Sequence, residues 1–395
     1  MSDRRIVLGL FLLAFGLVVA VHLVAPSSSV EATDYDEWYR PIAEAIRAGD
    51  GLSLDGQPAV RYPPGYPALL AALSTLPLAE GATNAIVNAV SLGAVASLLF
   101  LVVRRLADRR TAAVCGLAVT TYPLFLVLAA APGPDLPFMA LVVAAVLALL
   151  HALEGRLWWA VACGALVGGA GLLRPAAAGL GLVLAGLGIV WRRDRRGLAL
   201  AAVLLVTSIA VVLPWEVWVY QQTEQVVVLG TVGPPTVASG LTIVGRDEAD
   251  GREFPVPEAV DELGRRALAR KADLQDTRGL VRFLGDELQR NVDGVVMLVV
   301  VKGVRSWFGT DSMRHEGVVA LIQLPYLALA VVGLWSGRHR RLLGLSLTMA
   351  AYFWLTTIVA VSIVRYLLPG MAFVLVLTAI GLVRILPVGR VAGRA

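Results

Sequence analysis

The chain has 395 residues, of which 57% are hydrophobic and only 16% are charged. An average soluble domain is about a quarter charged. Together with a mean hydropathy of +0.75, this composition excludes an ordinary soluble globular protein. A net charge of +5 would suit a nucleic-acid partner, but half of the 34 basic residues fall in short loops or tails beside apolar stretches. We therefore expect no nucleic acid among the partners.

Ten stretches lack Asp, Glu, Lys and Arg and are long enough, or nearly so, to cross a membrane. A spanning helix takes roughly 17 to 25 residues. The first stretch follows Arg4 and Arg5 and exceeds the apolar core of a usual signal peptide, so we interpret it as a retained anchor. The sequence predicts an all-α polytopic membrane protein, a bundle of about ten transmembrane helices near residues 6–25, 84–103, 112–131, 136–153, 157–173, 176–191, 198–217, 317–335, 342–363 and 366–383.

Basic residues cluster in the loops that would share one side of the membrane if the ten helices alternate in direction. Cytoplasmic loops carry such an excess of Lys and Arg. The sequence therefore predicts two cytoplasmic termini, with the longer and more acidic loops on the outer face. A composition rich in Ala, Gly, Val and Arg favours a bacterial inner or plasma membrane. The clustered residues are Arg4, Arg5, Arg104, Arg105, Arg109, Arg110, Arg156, Arg192, Arg193, Arg195, Arg196, Arg338, Arg340, Arg341, Arg384, Arg390 and Arg394.

Three units follow from this arrangement. Residues 1–219 form an N-terminal transmembrane module whose first outer loop, 26–83, is long. Residues 220–316 form an outer-face cap. Residues 317–395 supply the C-terminal transmembrane helices and a cytoplasmic tail.

The two long outer segments have different local patterns. The apolar spacing of residues 39–46 predicts a short amphipathic helix on the membrane surface, ended by Gly49 and Gly51. The proline-rich stretch 61–79 predicts a re-entrant or interfacial segment rather than a simple span. In the cap, a loop is predicted first and helices from 257 to 291, with Leu263, Ala267, Leu268, Leu274, Leu280, Phe283 and Leu284 on an apolar face.

Several of these outer residues resemble a known family. Taken in their order along the chain, they are similar to the polytopic GT-C glycosyltransferases, most of all to the bacterial branch related to protein O-mannosyltransferases and lipid A aminoarabinose transferases. The first outer loop carries the specific motif. The residues are an acidic cluster that includes Glu31, Asp34 and Asp36, then Tyr39, Ala43, Gly49-x-Gly51, Arg61-Tyr62-Pro-Pro-Gly-Tyr66-Pro67, Asp135, Arg174-Pro175, Pro214-Trp215 and Arg365-Tyr366-Leu-Leu-Pro369.

The resemblance implies an enzyme that moves a sugar from a polyprenyl-phosphate donor to an acceptor on the outer face, usually with inversion. The acceptor could be a lipid, a cell-envelope glycan or a protein. The family pattern places an acid four positions before Tyr39, where this chain has Tyr35 between Asp34 and Asp36. Either aspartate could then be the base that deprotonates the acceptor hydroxyl.

The resemblance also implies roles for the other outer residues. Asp135 would be catalytic, and Asp34, Asp36 and Asp135 could hold a divalent cation through oxygen ligands. Arginine matches the oxygens of a phosphate with a planar fork of donors. The donor-phosphate candidates are Arg61, Arg174, Arg365, Lys302 and Arg305, and the substrate-lining candidates are Tyr39, Tyr62, Tyr66 and Tyr366.

Two other functions remain open at this stage. Ten helices could build a transporter or lipid flippase, although the spans hold no internal acid or base that could couple ions. A catalytically inactive subunit that keeps the GT-C-like fold would explain the shifted aspartate.

Overall fold

The computed structural model describes residues 2–24, 34–242 and 255–386, and the backbone of two short strands between the last two segments. Glu31, Arg390 and Arg394 lie outside the described residues. The helices are α1 (Asp3–Val24), α2 (Arg40–Ala48), α3 (Gly65–Leu73), α4 (Glu80–Leu106), α5 (Arg109–Thr121), α6 (Pro123–Ala130), α7 (Asp135–Leu153), α8 (Trp158–Leu173), α9 (Leu180–Arg192), α10 (Arg195–Thr223), α11 (Gly233–Thr242), α12 (Glu258–Ala269), α13 (Thr277–Arg290), α14 (Val292–Arg305), α15 (Glu316–Leu334), α16 (Arg340–Val359) and α17 (Val364–Ile385). The described part of the chain also has four strands of two residues each, which form two antiparallel pairs. Strand β1 (Ser53–Leu54) pairs with β2 (Gln57–Pro58), and β3 (Arg246–Asp247) pairs with β4 (Arg252–Glu253).

All ten predicted spans are helical. In the described chain, eight helical segments are long and apolar enough to cross a membrane: α1, α4, α7, Pro175–Arg192, α10, α15, α16 and α17. The third predicted span is the pair α5 and α6, bent by 43° where Pro123 holds the preceding Tyr122 in an extended conformation. The fifth is α8, with 16 residues. The prediction of an all-α polytopic membrane fold is confirmed.

The most buried spans are α4, α7 and α17. Helix α4 packs against α1, α5 and α7, whereas α17 packs against α15, α16 and α5. Helices α15 and α17 approach closely because Gly333 and Gly381 each face a backbone carbonyl of the other helix. This central layer places the first residues of α7 and α17 side by side at one end of the bundle.

The predicted basic loops meet at the opposite end. Arg109 at the start of α5 forms a 2.6 Å ion pair with Asp3 of α1. Its neighbour Arg110 donates a hydrogen bond to the carbonyl of Leu386, just after α17. Both ends of the described chain therefore lie at the same end of the bundle, as an even number of spans requires. That this end is cytoplasmic remains a prediction.

The first outer loop folds back onto the bundle. Helix α2 confirms the predicted amphipathic helix and ends at Gly49, whose φ of +91° favours glycine. The proline-rich stretch forms the short helix α3. A Cβ at Gly65 would lie 2.5 Å from the carbonyl oxygen of Leu172, so the missing side chain lets α3 lie directly on the end of α8.

The cap has its own small hydrophobic cluster, formed by α11 to α14 and the turn between α12 and α13. Five of the residues predicted on its apolar face lie in this cluster, but Leu268 is 41% exposed because it falls on the outer side of α12. Arg266 and the buried Glu287 form a two-pronged ion pair that joins α12 to α13. The clustered residues are Ala238, Leu241, Val260, Leu263, Ala267, Leu274, Leu280, Phe283 and Leu298.

Candidate active site

Three charged residues from distant parts of the chain meet at the ends of the central helices that lie away from the ion pair of Asp3 and Arg109. Asp135 begins α7, Arg174 follows α8, and Arg365 lies in the first turn of α17. Oδ2 of Asp135 accepts hydrogen bonds from Nε and Nη2 of Arg365, at 3.2 and 2.9 Å. Its Oδ1 forms an ion pair with Arg174. The sequence therefore predicted Asp135 in the site, but the structure shows its carboxylate already bound by two arginines.

These three residues leave one positive charge in excess. Arg174 is 13% exposed, and burial together with the charge of Arg365 lowers the pKa of its guanidinium. The Arg174 guanidinium also lies over the ring of Tyr366, 5.1 Å from its centroid. Two guanidinium groups around one carboxylate form a site for an anion.

Asp34 reaches this site through an unusual turn. Residues Tyr35–Tyr39 form a π-helical turn, in which the backbone N–H of Arg40 donates to the carbonyl of Tyr35, five positions earlier. Such turns add one residue to an α-helical repeat. The turn therefore brings Asp34, five positions before Tyr39, to about one helical repeat from that tyrosine.

The two candidate aspartates have different surroundings. Asp34 accepts a 3.0 Å hydrogen bond from the hydroxyl of Tyr62 and lines the two cavities described below. Asp36 is 54% exposed and pairs with Arg40 at 3.5 Å, one turn further along the same helical segment. Tyr35, which stands at the expected acidic position, is buried and donates to Glu80 at 2.8 Å. Of these residues, Asp34 has the geometry of a base.

Three packed tyrosines, Tyr39, Tyr62 and Tyr66, form an aromatic layer next to Asp34. Tyr39 packs against Tyr62 and Tyr66, with ring centroids 5.3 and 5.1 Å apart. Burial, and next the charge of Asp34, raises the pKa of Tyr62 to about 12, so this hydroxyl remains a donor at neutral pH. Arg61 lies over the ring of Trp38 at 4.6 Å. The layer fixes the direction of the Asp34 carboxylate.

Two cavities meet at this point. Cavity I, of about 540 Å³, runs between the ends of α8, α9, α11, α16 and α17. Cavity II, of about 640 Å³, runs between α6, α7, α15 and α17. Arg174 lines cavity I, whereas Asp135 lines cavity II. Both cavities are lined by the same four residues, Asp34, Tyr39, Arg365 and Tyr366.

Five of the predicted site residues lie outside these cavities, and Asp36, described above, is one of them. Arg61 is exposed at the edge of the aromatic layer, and Tyr66 is a buried member of that layer. Lys302 is buried, and its ammonium donates to the carbonyls of Val359 and Ala360 at the end of α16. Arg305 is buried and pairs with Glu316 at 2.8 Å. We assign Lys302 and Arg305 to the attachment of the cap, because the two side chains already bind other parts of the protein.

Asp311 and Tyr352 are two of the cavity residues that sequence reasoning missed. Asp311 lines cavity II from the loop before α15, and the surrounding protein raises the pKa of its carboxyl. Tyr352 of α16 lines cavity I and donates to the carbonyl of Ala176 at 2.7 Å. Asp311 is an acid in the short segment that leads into α15, much as Asp135 stands at the start of α7, and this signal could have found it. Tyr352 lies within a span and gives no such signal.

The predicted divalent-cation site does not fit these residues. Asp135 is bound by two arginines, and Asp36 faces Arg40 instead of Asp34. Over the described parts of the chain, no group of three or more His, Cys, Asp or Glu side chains is close enough to hold a metal ion. Asp34 alone would remain as a ligand, and we derive no step through a metal.

Comparisons with known proteins agree with this architecture. Residues 61–218 match the sequence profile of the dolichyl-phosphate-mannose-protein mannosyltransferases. The apo oligosaccharyltransferase of Archaeoglobus fulgidus superposes with a TM-score of 0.57 at 15% identity and covers 96% of this chain. The chain has the GT-C fold. A search of curated proteins gave no match.

Two further structures found in the comparison are complexes with lipid carriers. The AglB protein of A. fulgidus, in complex with an inhibitory peptide and a dolichol-phosphate, has a TM-score of 0.56 at 15% identity, with 96% of this chain covered. ArnT from Cupriavidus metallidurans, bound to undecaprenyl phosphate, has a TM-score of 0.46 at 16% identity, with 95% of this chain and 78% of that chain covered. This GT-C chain spans about half the length of the oligosaccharyltransferases, 49 to 50%.

Proposed function

We propose that the chain is a membrane glycosyltransferase that moves a sugar from a polyprenyl-phosphate donor to an acceptor hydroxyl. The observation that carries the proposal is the meeting of two cavities at Asp34, Arg365 and Tyr366. A transfer reaction needs two substrates that reach one base from different directions. The similarity of residues 61–218 to the mannosyltransferase profile supports the same class of reaction.

Cavity I suits the donor. Its walls are mainly apolar, with Tyr352, Leu355 and Val359 along α16, and Leu355 and Val359 also face the surrounding membrane, at 59% and 62% exposed. A polyprenyl tail can therefore enter from the side. Arg174 and Arg365 lie at the polar end, where their guanidinium groups would bind the donor phosphate.

The chemical step follows from this placement. Asp34 takes the proton of the acceptor hydroxyl as the oxygen attacks C1 of the sugar. The bond between C1 and the phosphate oxygen breaks, and its electron pair leaves with the polyprenyl phosphate. Arg174 and Arg365 stabilise the charge that develops on this leaving group. Attack from the side opposite to the phosphate inverts the configuration at C1.

The site would lie on the outer face of a bacterial inner membrane. This orientation rests on the predicted basic loops, which gather at the end of the bundle away from Asp34, as the ion pair of Asp3 and Arg109 illustrates. Donor, acceptor and membrane lipids are then the expected partners, without a nucleotide.

Binding of the lipid carrier tests the proposal. We expect the purified protein to bind undecaprenyl phosphate saturably and the Arg174→Gln variant to bind it at least about tenfold more weakly, since a charge-assisted hydrogen bond contributes about 1.5–3 kcal/mol. Arg47→Gln is the control, because Arg47 is a solvent-facing residue of α2 that lines neither cavity. Absence of saturable binding by the wild-type protein would overturn the proposal.

A further inference from the structure

We infer that cavity II takes a lipid-anchored acceptor with a hydroxyl-bearing headgroup, rather than a protein or a water-soluble glycan. The inference rests on the proposed function. That function leaves three acceptor classes open, a lipid, a glycan and a protein, and the inference selects the lipid. It follows from the division of the cavity into an apolar end within the bundle and a polar end at Asp34.

The apolar end lies against the membrane. Leu124, Val127 and Leu128 occupy one face of α6, since residues three and four apart share a helix face, and all three line the cavity. Val127 is also 67% exposed on the outside of a spanning segment, where it faces lipid. The cavity is therefore continuous with the hydrocarbon that surrounds the bundle.

The bend between α5 and α6 closes the cavity from below. Tyr122, at the bend, donates to Oε1 of Gln323 at 2.7 Å and packs edge-on against Tyr326 of α15. Every α6 and α15 residue that lines the cavity lies on the Asp34 side of this contact. From Leu124 to Ala131 the open wall is about 10 Å high at 1.5 Å per residue, a fraction of the roughly 30 Å hydrocarbon core. Acyl chains of the nearer leaflet fit this depth.

The polar end presents oxygen atoms. Thr310, Asp311 and Ser312 line it from the loop before α15, opposite Asp34. The Asp311 side chain is accessible within the cavity. Carboxyl and hydroxyl groups of this kind bind the hydroxyls of a sugar or polyol headgroup. One cavity thus matches both halves of an amphipathic molecule.

A soluble acceptor would not need this wall. A protein or free glycan approaches from water, so an apolar entrance toward the lipid would add no affinity for it. An acyl chain that already lies in the membrane can move along this wall without contact with water, so the wall suits a lipid and offers nothing to an acceptor that arrives from the aqueous side.

Photo-crosslinking in native membranes tests the inference. Leu128 and Leu126 lie on the same helix, are both half-buried, and differ in that Leu128 lines cavity II while Leu126 lines neither cavity. We would place p-benzoylphenylalanine at each position, irradiate the membranes and identify the adducts by mass spectrometry. We expect a lipid with a hydroxyl-bearing headgroup at position 128 and at least about fivefold less of it at position 126.

The Asp311→Asn variant adds a second measurement. We expect it to lower this lipid adduct at position 128 at least about fivefold while undecaprenyl phosphate binding is unchanged, because Asp311 does not line cavity I. Peptide adducts at position 128, or equal lipid adducts at both positions, would overturn the inference. Such a result together with normal binding of undecaprenyl phosphate would leave the transferase proposal intact, whereas loss of that binding in the wild type would overturn the transferase proposal itself.

Discussion

Arg365 and Asp135 are 230 residues apart in the sequence, yet two nitrogens of the guanidinium lie within 3.2 Å of one carboxylate oxygen. The pair connects the first turn of α17 to the first turn of α7. Arg174 binds the other oxygen, so Asp135 serves both as the counter-ion and as the support of two cations. We interpret Asp135 as a positioning residue for the arginines rather than as the base.

The Asp135→Asn substitution tests this role. It leaves two neighbouring guanidinium groups without their buried counter-charge, and breaking a buried ion pair costs about 3–5 kcal/mol. We expect a clearly lower melting temperature in detergent and a larger thermal stabilisation by undecaprenyl phosphate than in the wild type, since the bound phosphate replaces the lost charge. The control is Asp36→Asn, which removes an exposed pair and should change stability by less than about 1 kcal/mol. An unchanged melting temperature for Asp135→Asn would contradict the role.

The identity of the base gives a second prediction. We expect Asp34→Asn to lower the turnover of a polyprenyl-phosphate sugar by about 10²- to 10⁴-fold, as for other losses of a general base, while carrier binding persists. Asp36→Asn should keep near wild-type turnover, because Asp36 faces Arg40 at the surface. Single-turnover assays on the two variants separate them. Loss of turnover in Asp36→Asn alone would reverse the assignment.

Close packing of α3 on α8 gives a third prediction. A Cβ at Gly65 would lie 2.5 Å from the Leu172 carbonyl oxygen, and backbone cannot move as a flexible side chain can. We expect Gly65→Ala to lower the free energy of unfolding by about 1–3 kcal/mol and to reduce turnover, because α3 follows directly after Tyr62. Gly285→Ala in α13 is the matched control. Its new Cβ meets no atom within 4 Å, so equal stability losses in the two variants would refute the packing argument.

The buried Lys302 predicts a pH dependence of stability. Burial lowers the pKa of its ammonium to about 7, against about 10.4 for an unperturbed lysine. Between these values the unfolded chain binds more protons than the folded chain, so the free energy of unfolding rises with pH, by at most about 1.4 kcal/mol per pH unit. Thermal unfolding from pH 7 to 9.5 should show this rise in the wild type and in Lys271→Met, whose lysine is exposed. Lys302→Met should flatten it, and an unaltered slope in that variant would contradict the prediction.

Much of the fold could be predicted from local sequence. Apolar stretches, loop charges and turn residues are local properties, and they indicated the ten helices and the helix that Gly49 ends. The cap was harder. Leu268 fits the apolar pattern of α12, but the position of the neighbouring helices left it exposed. Helix α14 was not predicted, because its apolar run resembles neither a full span nor a surface helix.

The sequence indicated several residues of the candidate site, but it did not indicate how they contact one another. The family resemblance, together with residue type and position at a span boundary, indicated Asp135, Arg174 and Arg365. The sequence could not separate Asp34 from Asp36. That choice depends on the π-helical turn at Tyr35–Tyr39, whose two end residues are both buried against the bundle.

The sequence by itself thus determined that the chain is a multi-pass helical membrane protein with its acidic and aromatic residues at one end of the bundle. Hydropathy sets such features residue by residue, without knowledge of neighbours. Only the tertiary structure decided that Lys302 supports the cap, that Asp311 belongs to a cavity, and that Asp34 lies where two cavities meet. Such arrangements depend on contacts between residues far apart in the sequence. Asp135 and Arg365, for example, are 230 positions apart, and a local sequence pattern does not contain that contact.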